Sequence, residues 1–168
     1  MEAIYIPHLT KAPEQTETLE FQQFIPGFET LTPVRGRLQV SHKGTYIEVS
    51  VQAETIMTLT CHRCLQQYNH RLSVDTSELI WLDEAANQAD TGPLERETSL
   101  EDLIETLPPQ GYFLPDAWLY EQMCLATPHR QLCDKKCPGI PVSDSTTSDG
   151  PSDHRWNTLE ALKRQISS

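Results

Sequence analysis

The sequence predicts an α+β fold: an antiparallel β-sheet, a meander or a small barrel, with a few short helices and a C-terminal helix. Three observations carry this. A long period-two run spans 46–61, two shorter alternating runs flank it across turn signals, and helix-capping patterns are confined to the second half of the chain. Residues 1–140 read as a single α+β domain with two paired-cysteine segments, followed by a linker at 141–153 and an amphipathic helix at 154–168.

In the central run the odd positions are Ile47, Val49, Val51, Ala53, Thr55, Met57, Leu59 and Cys61. The even ones include Glu48, Ser50, Gln52, Glu54, Thr58 and Thr60. Side chains alternate across a strand, so this is a strand with one face in the core. Upstream, Val34, Leu38 and Val40 alternate with Arg35, Arg37, Gln39 and Ser41, and "SHKGTY" supplies Gly44 for a tight turn. Downstream, Tyr68, Leu72, Val74, Ile80 and Leu82 share one parity and predict a third strand. The intervening "TCHRCLQ" then lies at a hairpin tip, where thiols sit near the surface with backbone N–H groups close by.

Residues 83–99 read as a polar loop. Ser99 with Asp102 resembles a capping box for a short helix through Leu107, stopped by Pro108 and Pro109. Asp116 is placed to cap a second helix, "AWLYEQMCLAT", ending before Pro128. The linker "PVSDSTTSDGPSD" is too polar to offset its ordering entropy. Beyond it, Trp156, Leu159, Leu162 and Ile166 recur at helical spacing.

Acidic residues outnumber Lys and Arg by 24 to 13, for a formal charge of -11. Such a field opposes loose, sequence-independent binding to nucleic acid, so any RNA contact must be local. From Asp75 to Glu105 there are ten acids and one base, Arg96, which marks a solvated face or a surface for a basic partner. The N-terminus has neither the basic start and apolar run of an export signal nor a transit-peptide composition. No apolar stretch approaches the ~20 residues that cross a bilayer. A cytoplasmic protein without membrane association is expected, and its thiols should stay reduced.

Cys61 and Cys64 form a C-x-x-C pair, and Cys133 and Cys137 form a C-x-x-x-C pair. Two close pairs suit a tetrahedral zinc site, each turn supplying two thiolates. Packing, a site that no longer holds metal, and redox chemistry remain open alternatives. A thioredoxin-type C-x-x-C, however, precedes a helix in a βαβ context, whereas antiparallel strands are expected here. Cys124, within the second helix, is expected to be a small core residue. With no catalytic motif recognisable, an enzyme and a small-molecule substrate are not expected.

His62, Arg63, His70, Arg71, His129, Arg130, Lys135 and Lys136 all fall in the two cysteine segments, against Asp134 alone. They would form one basic island on an acidic protein. Four thiolates on Zn(II) leave about -2 charges, so part of this basicity neutralises the site and part is available for phosphate. Arg63, Arg71, Arg130, Lys135 and Lys136 are the candidate RNA- or partner-binding residues.

Three phrases carry a family resemblance: "CHRCL" with its upstream strands, "EQMCLATPHRQLCDKKCPGI", and "DHRWNTLEALK". Together they resemble the large ribosomal RNA subunit accumulation protein family, chiefly from about Phe21 to Gly139. Cys61, Arg63, Cys64 and Leu65 match its first motif, and Pro128, Leu132, Cys133, Cys137 and Gly139 its second. Asp153, Arg155, Trp156 and Leu159 match its closing helix. Many relatives continue after Cys137 with more cysteines, where this chain has "GIPVSDSTTSDG"; Cys61, Cys64, Cys133 and Cys137 are therefore the candidate ligand set. The resemblance implies a non-enzymatic role in large-subunit ribosomal RNA accumulation or processing and in large-subunit assembly, with an rRNA precursor or a large-subunit ribosomal protein as partner. The other reading is a zinc-stabilised protein–protein adaptor without RNA contact.

Overall fold

A computed structural model describes residues 1–87 and 104–141. Its elements are β1 (Ile4–Tyr5), α1 (Ile6–Leu9), β2 (Thr16–Gln23), β3 (Val34–His42), β4 (Tyr46–Thr60), β5 (Gln67–Leu82), β6 (Thr106–Leu107), β7 (Tyr112–Phe113) and α2 (Pro115–Ala126), with short 3-10 turns at Pro13–Gln15 and Glu84–Asn87. The main sheet has the order β2-β3-β4-β5-β6, and β1 pairs with β7 in a separate two-stranded ribbon.

The expected α+β fold on a purely antiparallel sheet is corrected: the described residues are mostly β, with two α-helices, and the main sheet is mixed. β2 to β5 form an antiparallel meander, but β6 runs parallel to β5, pairing Trp81 with Thr106 and Leu82 with Leu107. Antiparallel neighbours can be joined by a tight turn, whereas a parallel one needs a crossover of roughly a dozen residues or more. The long 83–105 connection supplies it, and composition does not reveal which way such a connection returns. The helix expected through Leu107 is corrected at its end, where Thr106 and Leu107 are strand. There Trp81 and Asp83 donate backbone N–H bonds to the carbonyls of Glu105 and Leu107. Ile104 and Glu105, expected in the same helix, are irregular; residues 99–103, the linker beyond Pro141 and the expected C-terminal helix lie outside the described residues.

The alternation in β4 appears in full. Every odd position from Ile47 to Cys61 is buried, and the even positions line the opposite face. Leu72, Val74 and Ile80 extend this face across β5, and Val34, Leu38 and Val40 across β3. Onto it pack Ile6 and Leu9 of α1, Phe113, and Trp118, Leu119 and Met123 of α2. Glu78 has the inward parity of β5, and its carboxylate accepts hydrogen bonds from Trp118 Nε1 (2.7 Å) and Gln122 Nε2 (3.0 Å). A charge on the core side of a sheet requires such partners; these two also fix α2 in register. Asp116 does not cap α2, whose N-cap is Leu114. It lies in the first turn, where its carboxylate takes the Met1 ammonium at 2.6 Å and Gln23 Nε2 at 2.7 Å.

Gly44 turns the β3–β4 hairpin at φ +92°, a conformation L side chains rarely adopt. Gly36 is required for a different reason. A Cβ there would fall 2.1 Å from the Gln52 carbonyl oxygen and 2.7 Å from Ala53 Cα, both backbone atoms. Gly36→Ala is therefore expected to lower unfolding free energy by about 1–3 kcal/mol, the usual cost of overpacking, measured as a shift in the urea midpoint.

Glu105 carries a second prediction. Burial, followed by the nearby carboxylates of Glu78 and Glu121, raises its pKa. A carboxyl raised in the folded state contributes stability below its ordinary pKa, and that contribution is lost as pH rises through the raised value. Glu105→Gln should thus raise the melting temperature relative to wild type more at neutral pH than at pH 4, an effect kept small by solvent screening at this exposed position and read from thermal melts across that range.

Candidate metal centre

Residues 61–66 close the β4–β5 hairpin. Cys61 continues the inward parity of β4, so its sulfur is fully buried, while Cys64 at the turn is half-buried. The Cys61 N–H donates to the Gln66 carbonyl and the Leu65 N–H to the Cys61 carbonyl, both at 2.9 Å. Leu65 adopts φ +61° to complete the loop. The Arg63 N–H points at Cys61 Sγ, 3.4 Å away.

The second segment begins where α2 ends. Thr127 leaves the helix in an extended conformation ahead of Pro128, which disfavours helical backbone in the residue before it. The chain then runs beside the hairpin tip, where the Gln131 carbonyl accepts the His62 N–H at 2.8 Å. Asp134 organises the next turn. Its Oδ1 accepts the Lys136 N–H at 2.7 Å and its carbonyl accepts the Cys137 N–H at 3.1 Å, an Asx-type turn that brings Cys137 back toward Cys133. Arg63 Nη1 donates to the Cys137 carbonyl at 3.0 Å. Gly139, at φ +86°, lies against the Arg63 carbonyl.

These two segments, separated by a long stretch of chain, bring Cys61, Cys64, Cys133 and Cys137 together with all four sulfurs within 4.8 Å of one another. Cys61 and Cys137 are 3.9 Å apart and Cys64 and Cys133 are 3.7 Å apart. Thiolates bound at ~2.3 Å to one tetrahedral ion lie about 3.8 Å from each other, whereas a disulfide requires about 2.05 Å. All four are free thiols. The spacing therefore fits a metal, and a soft, borderline cation such as zinc suits the donor set.

Electrostatics agree with the geometry. Backbone N–H groups of Cys133, Cys64 and Arg63 favour the Cys61 thiolate and bring its pKa down to about 6. Cys133 is pushed up to about 12 by the neighbouring sulfurs of Cys137 and Cys64, and by burial. Cys64 is also raised: the Gln66 N–H acts in the opposite sense, but burial and the sulfurs of Cys61 and Cys137 prevail. The Cys61 thiolate forms readily while Cys64 and Cys133 resist ionising beside it, and a cation at the centre would favour their thiolate forms.

Of the candidate contact residues, Arg63, Arg130, Lys135 and Lys136 lie exposed in the two cysteine segments. Arg71 does not join them. It sits in mid-strand opposite Ile56, roughly 13 Å along β5 from Gln67, and its guanidinium pairs with Glu54. The sequence reading overlooked Arg35 as a site residue, although it shares that carboxylate. It also overlooked Tyr68, which is half-buried and has its pKa raised by burial and by the sulfurs of Cys61 and Cys133. The parity of "VRGRLQV" had placed Arg35 on the solvent face of the sheet, as found. Cys124 is a correction: it lies exposed on α2 beside Tyr120, because a helix buries only one stripe and this position falls outside it.

Among the described residues no helix is long and apolar enough to cross a membrane. No curated protein and no solved structure matches the chain significantly. The family described as Large ribosomal RNA subunit accumulation protein YceD matches residues 49–163, a span that begins in β4 and includes both cysteine pairs. That match covers more than half of the sequence, and the chain belongs to the YceD family of large ribosomal RNA subunit accumulation proteins.

Proposed function

We propose that this protein is a non-enzymatic, cytoplasmic factor for the accumulation of large-subunit ribosomal RNA, acting in assembly of the large subunit, and that Cys61, Cys64, Cys133 and Cys137 hold a structural zinc ion. The observation that carries the reading is the four-sulfur cluster lying inside the segment matched by the family. When bound, zinc would cross-link the hairpin tip to the 128–140 segment as a closed structural site.

The residues around it have separable roles. Arg63 spends one edge of its guanidinium on the Cys137 carbonyl, which positions it over the cluster. Arg130, Lys135 and Lys136 make no ion pair among the described residues and are available to an RNA precursor or a large-subunit ribosomal protein. Clamping the two segments would fix these cations on one rigid knuckle, so that their ordering entropy is not spent on binding. The Arg63 hydrogen bond also supports the alternative, an adaptor that binds only protein and uses its basic residues to hold the metal site.

The test of the function is sedimentation. The protein should travel with a large-subunit precursor in a lysate gradient, and its depletion should lower large-subunit ribosomal RNA relative to small-subunit RNA. Protein confined to the top of the gradient, with unchanged RNA levels on depletion, would overturn the proposal. Substituting Arg63, Lys135 and Lys136 together by Gln distinguishes the two readings. Lost crosslinking to RNA supports direct contact, and unchanged crosslinking with an intact fold supports the adaptor.

A further inference from the structure

On the solvent face of the sheet, away from the cysteine knuckle, two arginines converge on one carboxylate. Arg35 Nε donates to Glu54 Oε1 at 2.8 Å, and Arg71 Nε donates to Glu54 Oε2 at 3.2 Å. Arg35 Nη2 also donates to Oε1 and Arg71 Nη2 to Oε2, so each arginine holds its own oxygen. The Glu54 side chain is 29% exposed, while those of Arg35 and Arg71 are 67% and 71% exposed. The carboxylate thus acts as a sheltered strut and the guanidiniums face outward. They border a cleft of ≈ 440 Å³ whose remaining walls include Gln22, Pro33 and Ile56.

Each guanidinium has five N–H donors, and the side-on pairing with Glu54 uses the Nε edge. Among the described residues, the end-on edge, formed by Nη1 and the second Nη2 hydrogen, has no partner on either arginine. These are two preorganised forks of the kind that grip oxyanions bidentately. Two guanidiniums and one carboxylate sum to +1, which neutralises a singly charged anion without surplus. Glu54 is held below its ordinary pKa chiefly by the Arg71 hydrogen bond and then by that of Arg35, so it stays charged and keeps both forks in place at neutral pH.

We propose that this cleft seats one phosphodiester of single-stranded RNA between Arg35 and Arg71, as a contact separate from the knuckle. The inference rests on the ribosomal RNA reading above and names a second surface for it. A phosphodiester carries the single charge the cleft balances. Pro33 and Ile56 offer apolar surface to the adjoining ribose or base, and Gln22 offers an amide. An unpaired strand can turn a base into such a cleft, whereas a duplex keeps its bases stacked. A peptide carboxylate could meet the same forks, and the test includes it as the competing outcome.

The test uses the full-length protein and a fluorescein-labelled 12-nucleotide oligouridylate, titrated between 50 and 200 mM salt. Arg35→Lys with Arg71→Lys keeps the charge and removes the forks, and should weaken binding about tenfold. Arg35→Gln with Arg71→Gln should also reduce the slope of log K against log salt by about 0.7, the value of one phosphate on a single strand. Both arginine side chains are exposed, so unchanged melting temperatures would show that the fold is kept. Wild-type affinity in both double variants, no binding by the wild type, or stronger binding of a Glu-rich peptide at the cleft would each overturn the proposal. Failure here is distinct from failure of the functional reading: cleft variants that bind the oligonucleotide normally and still co-sediment with precursor remove only the cleft. Cleft-dependent oligonucleotide binding without co-sedimentation would remove only the ribosomal role.

Discussion

Replacing Cys61 by serine is expected to strip the metal and release the 128–140 segment while leaving the sheet folded. Cys61 is fully buried, and backbone N–H groups bring its pKa down to about 6, so its loss removes a ligand already poised as the thiolate. Zinc present at about a hundred times its dissociation constant stabilises the bound state by about 2.7 kcal/mol, and that contribution should vanish. The hydrophobic core joining α1 and α2 to the sheet contains none of the four cysteines, so the loss is local rather than global. Trypsin should therefore cut at Arg130, Lys135 and Lys136 far faster in Cys61→Ser, or in wild-type protein treated with a chelator, while strand amides of β4 keep their hydrogen-exchange protection. Elemental analysis should give one zinc per chain for the wild type and less than about a tenth for the variant. Wild-type protein purified without chelator yet holding under about a tenth of an equivalent would overturn the metal site. Cys64→Ser, at the more open position, should show the smaller effect.

Leu119→Ala should cost about 2–5 kcal/mol, the range for truncating a buried leucine. Leu119 is 0% exposed and sits on the face of α2 that packs against the sheet. The urea midpoint should fall with the slope unchanged, since the variant alters packing rather than the surface exposed on unfolding. Because α2 leads directly into the 128–140 segment, looser helix docking should also weaken zinc retention. Competition against a chromogenic chelator measures this. Zinc affinity unchanged alongside a lowered midpoint would show that the knuckle is held by its own contacts and not by the helix.

The long strands were legible because β4 obeys one simple rule over its whole length: alternate residues are apolar, and alternate residues face the core. The β3–β4 turn was likewise readable from Gly44, the two cysteine segments from their spacing, and the end of α2 from Pro128. Other elements were not. β2 has only half-buried Leu19 and Phe21 to mark its inner face. It is a strand chiefly because β3 presents it with unpaired backbone groups along Thr16–Gln23. Thr106 and Leu107 belong to a stretch that reads as helix from the capping pattern of Ser99 and Asp102 and the stop at Pro108 and Pro109. They became strand because the edge of β5 offers them hydrogen bonds, and tertiary context overrides a weak local propensity.

By itself the sequence determined the three long strands β3, β4 and β5 with their buried face, the hairpin tip and the four candidate ligands, since these depend on period, turn chemistry and residue type within short stretches. Only the tertiary structure decided that Cys133 and Cys137 meet Cys61 and Cys64, that β6 returns parallel, and that Arg71 belongs with Arg35 and Glu54 instead of the knuckle. Each is a contact between residues far apart in the chain, set by how α2 and the strands pack. Local patterns constrain which groups can interact; only the closed core sets which of them do.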